Sequence, residues 1–252
     1  MVPALDEAAR VAQTVRALLA VPEVGTVVVV DDGSTDDTGA LARAAGAVVV
    51  RHEHSRGKAA ALTTGVDALV GDRRPVLFVD ADLAESAGAA GALVRPVLAG
   101  EADMTVATLP PQVRADGTPA GGFGAVVGLS RAGIARATGL HPAQPLSGQR
   151  CLTRAALAAA LPLARGFGVE TAMTVDVVRA GLRVVEVPVP FAHRATGDDA
   201  AGRLHRARQL ADVAAALGRT SLPAPAAVAV DRTAAAAGRA LGFAARRLAR
   251  GR

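Results

Sequence analysis

Three unbroken apolar runs, two of them ending in paired acidic residues, constrain this chain more than anything else in it. Residues 25–30 end in Asp31-Asp32-Gly33-Ser34, residues 47–50 form a second run, and residues 75–79 end in Asp80-Ala81-Asp82. None of the runs alternates apolar with polar positions, so each reads as a strand buried on both faces. Between and around them, residues 7–20, 35–45 and 58–70 read as helices. Val11, Val15, Leu18 and Leu19 give the first its helical spacing, and Gly46 ends the second. Buried strands separated by such helices imply an α/β fold, a parallel sheet covered on both faces. Ligands of these sheets bind outside the carboxyl ends of the strands. Both acidic clusters fall there.

The second half is less regular. Residues 104–107 and 183–189 read as strands, and 153–161, 170–180 and 204–217 as helices. The Gly-rich stretch 117–128 is expected to be a mobile loop, and 193–199 a polar loop. Leu222-Pro223-Ala224-Pro225 reads as a linker to an Ala-rich helix over 232–250, with Arg232, Arg239 and Arg246 seven apart. The boundaries this predicts are one domain over 1–221, divided into 1–110 and 111–221, then a tail over 222–252. Residues 2–7 read as a turn leaving a strand that is itself missing, through a tolerated loss or a start placed downstream of the real one.

Composition removes whole classes of function. At 51% hydrophobic and 20% charged, the chain can bury a sizeable core. Aromatic residues are 2%, with no Trp or Tyr, which leaves no stacking platform for nucleic acid. A single cysteine, Cys151, excludes an internal disulfide and a multi-cysteine zinc site. No apolar run is long enough to span a membrane. Residues 231–252 hold six Arg against one Asp, so the formal net charge of +5 resides in the tail and the remainder is neutral. That tail reads equally as a weak anionic-membrane contact or as a solvated segment. Lys58 is the only lysine among many arginines. It is either a surface accident or an answer to a need that arginine cannot meet.

Three turns carry the chemistry. Asp80 and Asp82, at i and i+2, can share a divalent cation, their hard oxygens suiting Mg²⁺ or Mn²⁺. On its own this spacing is more often that of a capping turn. In Asp31-Asp32-Gly33-Ser34-Thr35-Asp36, a carboxylate can accept from a base N–H or a ribose hydroxyl, and Gly33 permits close backbone approach. Capping accounts for Ser34 and Asp36 but not for the doubled aspartate. Arg56-Gly57-Lys58 places basic residues at a helix start, where they suit a bound anion. It lacks the Gly-Lys-Ser/Thr ending of a phosphate loop and the G-x-G-x-x-G of a dinucleotide fold.

Taken together, Pro3-Ala4-Leu5-Asp6-Glu7, residues 29–36, residues 57–62 and Val79-Asp80-Ala81-Asp82-Leu83 resemble the family 2 glycosyltransferases, in that family's order. Pro145-Leu146-Ser147-Gly148-Gln149-Arg150, Gly166-Phe167-Gly168-Val169-Glu170 and Ala192-His193-Arg194 are similar to the bacterial glucosyl-3-phosphoglycerate synthases, and in part to polyprenyl-phosphate glycosyltransferases. The resemblance implies the nucleotide-diphospho-sugar transferase fold called GT-A, Rossmann-like, with a mixed, mainly parallel sheet and helices on both faces. It implies a nucleotide-sugar half over 1–110 and an acceptor half over 111–221. Residues 121–124 depart from the synthases' acceptor-phosphate loop.

What the resemblance implies for function is metal-dependent hexosyl transfer, from UDP-glucose by preference, to a small soluble acceptor. Pro3, Ala4, Leu5, Glu7, Asp32, Gly33, Ser34, Lys58, Asp80 and Ala81 would hold the nucleotide. Asp82 and His193 would hold Mg²⁺ or Mn²⁺, and Glu170 would orient the acceptor hydroxyl or act as its base, with Asp82 and Glu170 as the catalytic pair. Plain readings stand beside these: His193 as a solvated loop histidine and Glu170 as a carboxylate favoured by a helix start. The alternatives are transfer to a polyprenyl phosphate at a membrane surface and a catalytically degenerate nucleotide-sugar-binding module. The expected location is the cytoplasm, peripheral to the inner membrane face if the tail adheres. Nucleic acid is not an expected partner; a second copy in a homodimer is compatible.

Overall fold

The computed structural model describes residues 1–110, 124–192 and 200–220, which all fall within one unit, Met1–Ser221. The tail over 222–252 and the loop over 193–199 lie outside the described residues. In chain order the elements are β1 (Val2–Ala4), α1 (Val11–Leu19), β2 (Val28–Asp31), α2 (Thr38–Ala44), β3 (Val48–Arg51), α3 (Lys58–Asp67) and β4 (Val76–Phe78). A 3₁₀ turn (Ala84–Ala90) leads into α4 (Gly91–Leu98), followed by β5 (Met104–Thr108), α5 (Gly124–Thr138), β6 (Arg150–Leu152) and α6 (Arg154–Ala160). A second 3₁₀ turn (Gly166–Gly168) opens α7 (Val169–Arg179), before β7 (Val184–Pro188) and α8 (Ala200–Thr220).

β1, β2 and β3 pair in parallel, and β4, β6, β5 and β7 form a second ladder in that order. β6 runs antiparallel to both neighbours, while β5 and β7 are parallel. The ladders meet at Met1, whose amino group donates to the Leu77 carbonyl at 2.7 Å and whose own carbonyl accepts from the Val79 N–H at 3.1 Å. The result is the mixed, mainly parallel sheet expected.

Alternation along the strands explains why the runs are wholly apolar. Val29 faces a core made with Val11, Val15, Leu18, Leu93 and Val97 of α1 and α4. Its neighbour Val28 faces the opposite core, with Leu62, Val66, Leu157 and Met173 of α3, α6 and α7. Both faces of β2 are covered, so neither side of that strand can be polar; β3, at the edge of the sheet, departs from the expectation, with Val48 exposed and Val49 and Val50 only half-buried.

Three expectations are corrected. The first strand is present: β1 is three residues long, and its register pairs Val2 with Val29 and Ala4 with Asp31. It is too short for periodicity to detect, and Pro3 at its centre argues against a strand. β6 went unread for the same reason of length. The supposed loop over 117–128 ends inside α5, because residues 124–128 are its first turns; residues 117–123 lie outside the described residues.

Candidate active site

The carboxyl ends of β2 and β4, the start of α3 and the start of α7 converge on a small polar cluster. Lys58, first residue of α3, is aimed inward by Gly57, whose φ of 88° is one that glycine adopts readily. Its ammonium lies 2.8 Å from Asp80 Oδ1, on the turn after β4, and 3.2 Å from Glu170 Oε1, in the first turn of α7. The Glu170 side chain is 10% exposed and those of Lys58 and Asp80 are 31% and 28%. Burial alone would lower the Lys58 pKa, but Asp80 and then Glu170 outweigh it and raise it above the ordinary lysine value.

The loop before β6 supplies the third wall. Gln149 donates from Nε2 to Asp80 Oδ2 at 2.6 Å, so the two oxygens of Asp80 are divided between Gln149 and Lys58. Ser147 donates to Gln149 Oε1 at 3.1 Å, which fixes the amide's orientation. Gly148 lies so close that a Cβ there would stand 2.7 Å from Lys58 Nζ and 3.1 Å from Asp80 Oδ2. Arg150, fully buried, braces this loop through the carbonyls of Pro145 and Ser147, and reaches Thr174 Oγ1 on α7 at 2.8 Å. Burial pushes its pKa down to about 10 against the pull of Glu170 and Glu186.

Asp32 anchors the turn that precedes Lys58. Its Oδ1 accepts from His52 Nδ1 at 2.6 Å and the Arg56 N–H at 3.0 Å; its Oδ2 accepts from Ser55 Oγ at 2.9 Å and the Gly57 N–H at 2.8 Å. A carboxylate offers about four lone-pair sites, and the chain's own donors engage both oxygens. Burial pushes the carboxyl's pKa up, but these hydrogen bonds outweigh it and hold the group below the usual carboxylate range. Asp32 therefore faces the 55–57 turn and ties it to the end of β2. Asp31 is likewise engaged, with Arg51 at 2.8 Å and the Ser34 N–H at 2.9 Å.

The other expected residues surround this centre. Pro3 and Ala4 lie in β1, and the Ala4 carbonyl accepts from the Asp32 N–H at 2.8 Å. Leu5 is exposed at its end. The Glu7 N–H donates to Thr38 Oγ1, and the hydroxyl of Ser34 accepts from the Asp6 N–H, so the 5–7 and 34–38 turns are laced together. Gly33 has a φ of 79°, and a Cβ on it would meet the His54 backbone at 2.6 Å. Ala81 is buried and its carbonyl accepts from Thr14 Oγ1. Asp82 is half-buried on the same turn as Asp80. His193 lies outside the described residues.

Among the described residues no group of three His, Cys, Asp or Glu side chains is arranged as a metal cage. Asp80 and Asp82 are the hard-oxygen carboxylates this turn carries. That chemistry fits Mg²⁺ or Mn²⁺ held by one or two protein ligands and completed by phosphate oxygens and water. Spacing alone missed Gln149 and His52. The 145–150 motif marked Gln149 without a role; His52 follows a strand and carries no pattern.

The sequence profile of glycosyl transferase family 2 matches residues 1–118. A glucosyl-3-phosphoglycerate synthase of Mycobacterium tuberculosis is 34% identical over 206 residues, 73% of this chain and 62% of the relative. Glycosyltransferase AglJ of Haloferax volcanii is 33% identical over 181 residues, 69% of this chain and 56% of the relative. The chain thus spans about three fifths of the length of these relatives. A crystal structure of the M. tuberculosis synthase with Mn²⁺, UDP-glucose and phosphoglyceric acid superposes with a TM-score of 0.69 at 31% identity, covering 86% of this chain and 78% of that one. The same enzyme with Mn²⁺, UDP-glucose and glycerol 3-phosphate gives 0.70 at 30%, with the same coverage.

Proposed function

This chain belongs to glycosyl transferase family 2, with the GT-A fold, and from that premise we propose that it transfers glucose from UDP-glucose to a small, soluble, anionic acceptor with Mg²⁺ or Mn²⁺. The observation that carries the reading is the Lys58 ammonium seated between Asp80 and Glu170. One cation there ties the nucleotide-sugar half of the fold to the helix start expected to face the acceptor. The Glu170 partner is nearly buried, which sets this pairing apart from a solvated surface ion pair. The synthase structures bind UDP-glucose with either phosphoglyceric acid or glycerol 3-phosphate, which supports a phosphorylated three-carbon acceptor here.

In this reading Pro3, Ala4, Leu5 and Glu7, with Gly33, Ser34 and Ala81, form the floor under the nucleotide, and Asp80 and Lys58 meet the donor. Asp82 and His193 would hold the metal, which supplies Lewis-acid stabilisation of the departing diphosphate. Glu170 orients the acceptor hydroxyl and receives its proton at a carboxylate oxygen. Lys58 releases Glu170 for that task when it turns toward donor phosphate, so donor binding prepares the base. Asp32 would meet the base or ribose and also hold the turn that carries Lys58.

Thermal melting with a panel of nucleotide sugars, with and without Mn²⁺, tests the donor, because a ligand that binds only the native state raises its stability. The expected result is a shift with UDP-glucose that grows when Mn²⁺ is present. Equal shifts with every nucleotide sugar, independent of metal, would contradict the proposal.

A further inference from the structure

The turn that delivers Lys58 is held from behind by a buried chain of three side chains. His52 follows the last residue of β3 and is 7% exposed. Its Nδ1 is 2.6 Å from Asp32 Oδ1 and its Nε2 is 2.9 Å from Thr64 Oγ1, in the middle of α3. An ionised carboxylate only accepts, so Nδ1 is the donor whatever charge the ring carries. The ring is thus fixed at both nitrogens, between the end of β2 and the body of the helix that begins with Lys58.

We propose that His52 is a positioning residue for donor binding, setting the rotation of the Asp32 carboxylate and, through it, the placement of Lys58. The remaining contacts of Asp32 are made to the Ser55 hydroxyl and to the N–H groups of Arg56 and Gly57. Those groups fix the peptide planes just ahead of Lys58, where Gly57 occupies the left-handed region and α3 has no side-chain cap. Among the described residues, the Asp32 carboxylate is the side chain that holds that turn. A carboxylate freed from His52 can rotate about its Cβ–Cγ bond and exchange these partners, which lets the helix start move. Misplacement on the order of an ångström is enough to weaken a site that depends on oriented charge. The inference rests on the reading that Lys58 meets the donor.

Two amide substitutions separate the two bonds. In His52→Asn the side-chain amide nitrogen lies near the Nδ1 position and can still donate to Asp32. In His52→Gln it reaches toward the Nε2 position and serves Thr64 instead. Calorimetric titration of the full chain with UDP-glucose and Mn²⁺ is expected to show near-native affinity for His52→Asn. It should show about ten-fold weaker binding for His52→Gln, the size of a lost charge-assisted hydrogen bond. The donor KM should rise in the same proportion while kcat at saturating donor is retained, a split that general loosening of the fold would not produce. Lys58→Met is the control. If it binds donor normally, the underlying reading fails and the proposal with it. If Lys58→Met is impaired while His52→Asn and His52→Gln bind alike, the proposal alone is overturned. Should His52→Gln not fold, His52→Leu removes the donor to Asp32 without burying a new polar group, and unchanged donor affinity there counts against the proposal.

Discussion

At the scale of single residues, the fit between Lys58 and its neighbours is the sharpest feature of the molecule. Its ammonium is a compact donor between two carboxylates, with Gly148 packed so closely that a Cβ there would displace it. Lys58→Arg keeps the charge but replaces the point donor with a planar fork. We expect it to weaken UDP-glucose binding by about 1–3 kcal/mol, as when a charged hydrogen bond is lost; calorimetry on both proteins measures this, and equal affinities would refute it. Gly148→Ala attacks the same contact from the other side. Its Cβ meets the free end of a flexible side chain, so the fold should survive with little change in melting temperature. The ammonium, however, must leave Asp80, and a loss of turnover on the order of 100-fold is expected. A variant with native turnover would show that the closeness has no function.

At the scale of elements, the loops are more informative than the strands they join. The β2–α2 turn and the turn ahead of α3 are tied together by Asp32, whose pKa is held below the usual carboxylate range by its hydrogen bonds. A group depressed on folding contributes stability above its unfolded pKa of about 3.9 and loses it as pH falls through the folded value. Asp32→Asn should therefore be less stable than the parent at pH 7, with the difference shrinking below about pH 4. Urea unfolding of both proteins at pH 7 and pH 3 measures the gap, and a gap of constant size would contradict the assignment. The long apolar runs were legible from sequence, because burial on both faces leaves an unmistakable run of Val. β1 and β6 were not, because three residues carry no period. Lys58, Asp80 and Glu170 were legible as separate signals, but their meeting was not, since nearly ninety residues of chain separate Asp80 from Glu170. Asp32 was legible as unusual, but its hold on the turn ahead of α3 was not, because no sequence pattern reveals that His52, Ser55 and two backbone N–H groups donate to it.

At the scale of the whole molecule, a sheet with a core on each face holds the two halves of the site in register. α1 and α4 cover one face; α3, α6 and α7 cover the other, and α3 and α7 are the helices that bring Lys58 and Glu170 together. No described helix is long and apolar enough to cross a membrane. The central claim is that this arrangement transfers a sugar rather than merely holding one. The direct measurement is UDP release from UDP-glucose with Mn²⁺, with and without a phosphorylated three-carbon acceptor, alongside the mass of the acceptor afterwards. We predict UDP release that rises with acceptor, a product heavier by one hexose, and loss of that rise in Glu170→Gln with donor binding retained. Saturable binding of UDP-glucose without UDP release under any acceptor would contradict the account and leave a nucleotide-sugar-binding module in its place.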